Sequence, residues 1–308
     1  MIRMPGSSHR GPLPPLTPEE AELAQALRRD VAHLAGEIGE RNVFRAGALH
    51  RAAEWVEGRL EAEGFEVKGQ ESTVRGVLCR NLEAQLEGNG RREEIVLLGA
   101  HYDSVHGSPG ADDNATGVAA LLAIARRLRA SPPARTVRFV AFVNEEPPFF
   151  QTDSMGSLLY ARACRERGDR IVEMLSLESI GFYRDEPGSQ VYPPGFALLY
   201  PNRGDFLAFV GNLGSRARVR HAIRLFREAT PFPSEGATTF GWIPGIGWSD
   251  QWSFWKAGYP GVMVTDTAPF RNPGYHTQDD TPERIDYERL ARVVAGLAKV
   301  ASRLAAGG

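Results

Sequence analysis

Residues 95–146, IVLLGAHYDSVHGSPGADDNATGVAALLAIARRLRASPPARTVRFVAFVNEE, decide the fold. The stretch reads strand, loop, helix, strand. Ile95–Ala100 is an apolar run of strand length, and Thr136–Asn144 is another. Neither alternates with polar residues, which marks strands covered on both faces. Between them, Asn114–Ala130 carries apolar residues at helical spacing. Both strands end on chemistry: His101 and Asp103 after the first, Glu145 and Glu146 after the second.

The same alternation continues outward. Upstream, Thr17-Pro18-Glu19-Glu20 is a capping box with proline at the first helical position. The helix it opens is expected to reach about Ile38, and a second is expected over 47–63 with Leu49, Ala53, Val56 and Leu60 as its stripe. Strand-like runs follow at 65–73 and 81–87. Downstream, a helix is expected at 154–167, a strand at 171–180, a helix at 205–229, a loop at 231–248, a short helix at 251–257, a strand at 261–265 and a closing helix at 286–304. Buried strands alternating with amphipathic helices imply an α/β fold. The expected architecture is one domain, residues 18–308, with a mixed, mainly parallel central sheet and helices on both faces. Residues 1–17 are rich in Gly and Pro near their end and are expected to form a flexible tail.

Composition narrows the function classes. The 308 residues carry 36 Lys+Arg against 38 Asp+Glu, a net charge of -2, which argues against a nucleic-acid partner held by charge. No apolar run approaches membrane-spanning length. The N-terminus lacks the apolar core of a signal peptide, so the chain as given is expected to be cytoplasmic, although an exported form with its signal removed would look the same. Cys79 and Cys164 are expected to be free thiols rather than a disulfide framework. Nothing in the chain calls for an obligatory protein partner.

Five places carry chemistry: His101 with Asp103, Asp112-Asp113 before a helix, Glu145-Glu146 at a strand end, Glu178 inside MLSLESIG, and His276 in a loop. Each has an ordinary reading alone: a structural histidine, a helix cap, an exposed turn, a buried salt bridge, a loop residue. Together they supply two His and several carboxylates, with no Cys, and four of the five follow apolar strands or lie in the loops at their carboxyl ends. In open α/β sheets ligands bind at that edge. Such a donor set suits zinc. Two metals sharing one carboxylate would need five protein ligands, and one Glu would remain as a base, which suggests a two-metal hydrolase.

Seven short pieces in order, GAHYDS (99–104), GADDNATG (110–117), FVNEE (142–146), MGSLLYA (155–161), LESIG (177–181), SDQWSF (249–254) and YHTQDDTPERID (275–286), give the chain its resemblance. It resembles the co-catalytic di-zinc aminopeptidases, which share a fold with glutamate carboxypeptidase, the transferrin receptor ectodomain and glutaminyl cyclases. The resemblance implies two zinc ions and a peptide substrate with a free N-terminus, cut by a zinc-activated water. It implies that His101 and Glu178 bind one ion, Glu146 and His276 the other, and that Asp113 bridges them. Many members carry Asp where Glu178 stands. Glu145 would be the general base and then the acid, Asp103 would orient His101, and Tyr275 would donate to the oxyanion. Asp250 and Trp252 are expected near the substrate. Gln251 departs from the His that many members carry there. Trp242, Trp248, Trp252 and Trp255 could line a pocket for large apolar side chains or pack in the core. Three other readings compete: a single-zinc glutaminyl cyclase, a non-catalytic module of the same fold, and a carboxypeptidase for acidic C-termini. The last would need arginines at the site, with Arg184, Arg203 and Arg271 as candidates.

Overall fold

The computed structural model describes residues 4–130 and 132–307; the first three residues of the expected tail lie outside the described residues. The Thr17 hydroxyl accepts from the Glu20 N–H at 3.2 Å and the Glu20 carboxylate accepts from the Thr17 N–H at 2.9 Å. That reciprocal cap opens α1 (Pro18–Val31), which runs on as a wider turn over Ala32–Ile38. Helix α2 (Ala46–Ala62) buries Leu49, Ala53, Val56 and Leu60, the stripe legible in the sequence.

Strands β1 (Val67–Val74), β2 (Val77–Leu86) and β3 (Arg91–His101) follow, then α3 (Gly117–Leu128), β4 (Arg135–Phe142), α4 (Gly156–Arg167) and β5 (Arg170–Glu178). The last third contains β6 (Leu207–Asn212), α5 (Arg216–Ala229), β7 (Ser234–Thr239), α6 (Gln251–Lys256), β8 (Val262–Thr265) and α7 (Tyr287–Ala306). Two expectations are corrected here. The start of the helix read at 205–229 is strand β6, and the loop read at 231–248 contains strand β7. In β6 the apolar run LAFV fills both sides of the sheet, so burial outweighs the helical spacing that continues from α5.

All eight strands form one sheet in the order β1-β2-β4-β3-β5-β8-β6-β7. Its centre, β4-β3-β5-β8, is parallel throughout. The β1–β2, β2–β4 and β8–β6 pairs are antiparallel, and β6–β7 is parallel. Alternate strand residues feed two faces. Val96, Leu98, Val137, Phe139, Leu175 and Val264 pack under α1, α2, α3, α5 and α7. Ile95, Leu97, Val140, Phe142 and Met174 pack under α4 and α6.

Residues 4–16 form neither helix nor strand, yet they are tied down. Arg227 donates to the Pro5 and Gly6 carbonyls, Ser8 Oγ accepts from the Ser234 N–H at 2.9 Å, and Arg292 donates to the Pro14 carbonyl. Cys79 and Cys164 are buried and unpaired. No helix among the described residues is long and apolar enough to cross a membrane.

Candidate metal centre and active site

Parallel strands present their carboxyl ends together, and the site is assembled there. His101 is the last residue of β3 and fully buried. The loop after it is held by Arg41, a buried guanidinium that donates to the carbonyls of Tyr102 (2.6 Å), Pro109 (2.5 Å) and Gly110 (2.8 Å). The Asp103 carboxylate accepts the backbone N–H groups of Glu145 and Glu146, each at 3.2 Å. Its Oδ1 lies 3.5 Å from His101 Nδ1. His101 Nδ1 also lies 3.2 Å from the Asp103 backbone carbonyl, so one residue sets the imidazole mainly through its main chain and the turn that presents the Glu pair through its side chain.

Asp113 is placed from two sides. The Asp280 carboxylate accepts the N–H groups of Asp112 and Asp113, at 2.9 and 3.1 Å. The Asn114 side chain donates to Leu177 O at 2.8 Å and accepts from the N–H groups of Ser179 and Gly117, both at 3.1 Å. A Cβ on Gly117 would collide with that Asn114 carboxamide, so the close approach requires glycine. Asp112 points elsewhere: it accepts from Gly181 N and Asn272 Nδ2. Backbone strain gathers here too. Asn144, Ser179 and His276 have φ of 58°, 45° and 59°, a region non-glycine residues seldom enter.

The resulting donors fall into two triads, His101–Asp113–Glu178 and Asp113–Glu146–His276. His101 Nε2 is 3.2 Å from Asp113 Oδ1 and 3.3 Å from Glu178 Oε2. His276 Nε2 is 3.1 Å from Asp113 Oδ2 and 3.1 Å from Glu146 Oε2. Two ligands each about 2.1 Å from a tetrahedral ion lie about 3.4 Å apart. The spacings fit that geometry, and Asp113 offers one oxygen to each triad. His101 Nε2, Asp113 Oδ1 and His276 Nε2 are buried without a hydrogen-bond partner. Buried polar atoms seldom stay so, and two dications would satisfy all three. Ser249 Oγ donates to Glu178 Oε2 at 2.6 Å and Ser179 Oγ to Glu178 Oε1 at 3.2 Å, which fixes the Glu that replaces the common Asp.

The electrostatics agree. Asp103, Asp113, Glu145, Glu146, Glu178 and Asp250, all buried, surround two imidazoles. Burial opposes the charged form of His276, but Asp113 and Glu146 outweigh it and push its pKa up to about 10. His101 is likewise held well above the usual value, against its burial, by Glu178, Glu145, Asp103 and Asp113. Burial and the Asp113 charge lift Glu146 to about 7. Burial would raise Asp113, but the two imidazoles that face its oxygens hold it well below the carboxylate range. So much negative charge away from water calls for cations. Glu145 is in neither triad; its Oε2 lies 3.8 Å from His101 Nε2, and burial raises its pKa well above the usual value.

Other expected residues land differently. Tyr275 stacks on His276, with ring centroids 3.8 Å apart, and lines an apolar cavity beside Glu178. Asp250 is not in that cavity; it is fully buried near Ser157, His101 and Glu178, where burial lifts it to about 7. Trp252 is also outside it, with the Lys256 ammonium 5.6 Å from its ring centroid. Gln251 is buried and donates to Ile246 O. Of the four tryptophans in that segment only Trp248 lines the cavity. Trp255 donates to Gly261 O and packs in the core, while Trp242 is exposed. No arginine lines the cavity among the described residues, which removes the anchor a carboxypeptidase reading needs. Arg41, Asp280 and Ser249 were not singled out as site residues from sequence; their partners lie far away along the chain.

The model of peptidase family M28 matches residues 81–301. The chain is 38% identical to the uncharacterized protein YfbL of Escherichia coli K12 over 293 residues, covering 92% of this chain and 88% of the relative. It is 31% identical to aminopeptidase YwaD of Bacillus subtilis over 205 residues, covering 66% of this chain and 39% of the relative. Among solved structures, a zinc aminopeptidase from Bacillus subtilis has a similar fold, with a TM-score of 0.71 at 16% identity, covering 91% of this chain and 94% of that one.

Proposed function

The chain belongs to peptidase family M28, and from that premise we propose that it is a two-zinc aminopeptidase that releases single residues from peptides with a free N-terminus. One observation carries the reading: the two oxygens of Asp113 face two histidines, His101 at 3.2 Å and His276 at 3.1 Å, each backed by its own Glu. A single-zinc cyclase would not need the His101–Asp113–Glu178 triad, and a decayed binding module would not keep both.

When bound, zinc would supply Lewis acidity, polarising the scissile carbonyl and acidifying water. The rest falls to the chain. Glu145 takes the proton of the attacking water and passes it to the departing amine, a role for which a carboxyl with a raised pKa is suited. Asp103 holds Glu145 through its backbone N–H. Tyr275, fixed on the His276 ring, donates to the developing oxyanion. The surrounding carboxylates receive the substrate's α-ammonium, so a blocked N-terminus loses its charge complement.

The test is digestion of a ten-residue peptide by the zinc-loaded protein, read by mass spectrometry beside its N-acetylated twin. A ladder shortening from the N-terminus, absent for the acetylated peptide, supports the reading. Internal fragments, C-terminal shortening or equal cleavage of both would sink it.

A further inference from the structure

The cavity beside Glu178 has a regular floor. Across β5, β8, β6 and β7, Glu178 pairs with Thr265, Thr265 with Ala208, and Ala208 with Glu235. Residues opposite one another in a sheet point to the same face. One row deeper lie Met263, Val210 and Ala237, joined by the same registers. The small side chains of Thr265 and Ala208 leave a trough between two glutamates. Neighbouring strands are about 4.8 Å apart, so its ends are about 14 Å apart. Aromatic rings wall it, among them Tyr192, Trp248 and Phe270, with Tyr275 at the Glu178 end; Phe206 lines it too, with the Arg271 guanidinium 4.6 Å from its ring centroid.

Glu235 stands at the far end on the edge strand, half-buried. A carboxylate partly withdrawn from water into an apolar trough is costly unless something answers it. Arg227 is occupied elsewhere, donating to the Ser234 hydroxyl and carbonyl and to the Pro5 and Gly6 carbonyls. Ser8 faces Glu235, Arg10 and Arg227 act on it from a distance, and Asp205 opposes its charge. The hydroxyl of Ser8 and these two distant arginines only partly offset the burial of Glu235, whose pKa stays raised.

We propose that Glu235 determines specificity by receiving the tip of the substrate's amino-terminal side chain, and that the trough selects a long side chain with an apolar stem and a cationic end, arginine or lysine. The stem lies against the rings, which favour a cation over their faces. The tip meets Glu235 in a charge-assisted hydrogen bond. This rests on the aminopeptidase reading and revises the expectation, from sequence, of a preference for apolar over charged residues.

The experiment compares kcat/KM of the zinc-loaded protein on arginyl-, lysyl-, methionyl- and leucyl-p-nitroanilides for wild type, Glu235→Gln and Glu235→Leu. Binding of L-argininamide and L-norleucinamide is measured alongside by calorimetry. The wild type is expected to favour arginyl or lysyl over methionyl at least tenfold. Glu235→Leu is expected to lower that ratio tenfold or more and to erase the argininamide advantage in Kd. Glu235→Gln, which keeps the side chain's shape and so guards against a folding defect in the Leu variant, is expected to lower it by a smaller factor. A wild type that prefers methionyl or leucyl substrates, or an arginyl-to-methionyl ratio indifferent to Glu235, overturns the proposal while leaving the aminopeptidase reading standing. A wild type that cleaves none of the four overturns both.

Discussion

Asp103→Asn tests whether the metal centre is organised from behind. The Asp103 carboxylate accepts two buried N–H groups, from Glu145 and Glu146, and faces His101 Nδ1. Asn keeps the shape and one oxygen acceptor. Its amide nitrogen must then face an N–H or the imidazole, and one buried donor loses its partner. An unsatisfied buried donor costs about 1–3 kcal/mol. Against an ordinary domain stability of about 5–15 kcal/mol, the variant should fold with a lower urea midpoint. The larger consequence is chemical. Loss of a partner that orients ligands usually costs 10–100-fold in metal affinity or activity. Zinc titration against a competing chelator should show that drop, and kcat at saturating zinc should fall by about 10–100-fold as Glu145 loses its fixed position. Zinc affinity and kcat both within twofold of wild type would refute the reasoning, whatever happens to the urea midpoint.

Glu145→Gln should leave the zinc content nearly intact, because neither triad uses Glu145, while kcat falls by about 10²–10⁴-fold; near-normal turnover would end its assignment as base. Asp113→Asn should weaken both sites together in metal analysis, since each triad takes one Asp113 oxygen, and loss from one site alone would contradict a bridge. The apo protein should be more stable in mild acid than in base. Burial, reinforced by neighbouring carboxylates, raises Glu146 to about 7 and Asp280 to about 8, and burial raises Asp250 to about 7 despite His101. His276, against its burial, is raised to about 10 by Asp113 and Glu146. In each case the folded chain holds a proton that the unfolded chain releases at lower pH. Stability is then present below the unfolded pKa values and lost as pH climbs through the folded ones, chiefly from about 4 to 8 for the carboxyls. Melting curves of chelator-treated protein should therefore fall from pH 5 to pH 8, and zinc should raise the melting temperature more at pH 8 than at pH 6. A flat or rising apo profile would contradict this.

The sequence made some parts of the molecule visible and hid others for physical reasons. His101, Glu145 and Glu178 stand out because each ends or follows an apolar strand, where a polar side chain needs a reason to be buried. Strand β7, SEGATT, hides because an edge strand of small and polar residues has no apolar alternation to betray it. Strand β6 hides because its apolar residues run into the strongly amphipathic α5. Arg41 acts on Pro109 and Gly110, and Asp280 on Asp112 and Asp113, across separations of 68, 69, 168 and 167 residues. No local pattern encodes such pairings. The trough from Glu178 to Glu235 depends on register across four strands, two of which were not legible as strands. The SDQWSF piece of the resemblance points Asp250 and Trp252 toward the site; Asp250 lies close to His101 and Glu178, while both residues fall outside the cavity that Tyr275 lines.

The measurement that most directly tests the central claim is the number of zinc ions held per chain. Native mass spectrometry of protein stripped by chelator and reloaded with zinc should show two ions per chain. Removing a ligand private to one triad, by His276→Ala, should leave one. If the wild type saturates at a single ion, and His101→Ala leaves that ion in place, the His101–Asp113–Glu178 triad is not a metal site and the two-metal account is wrong.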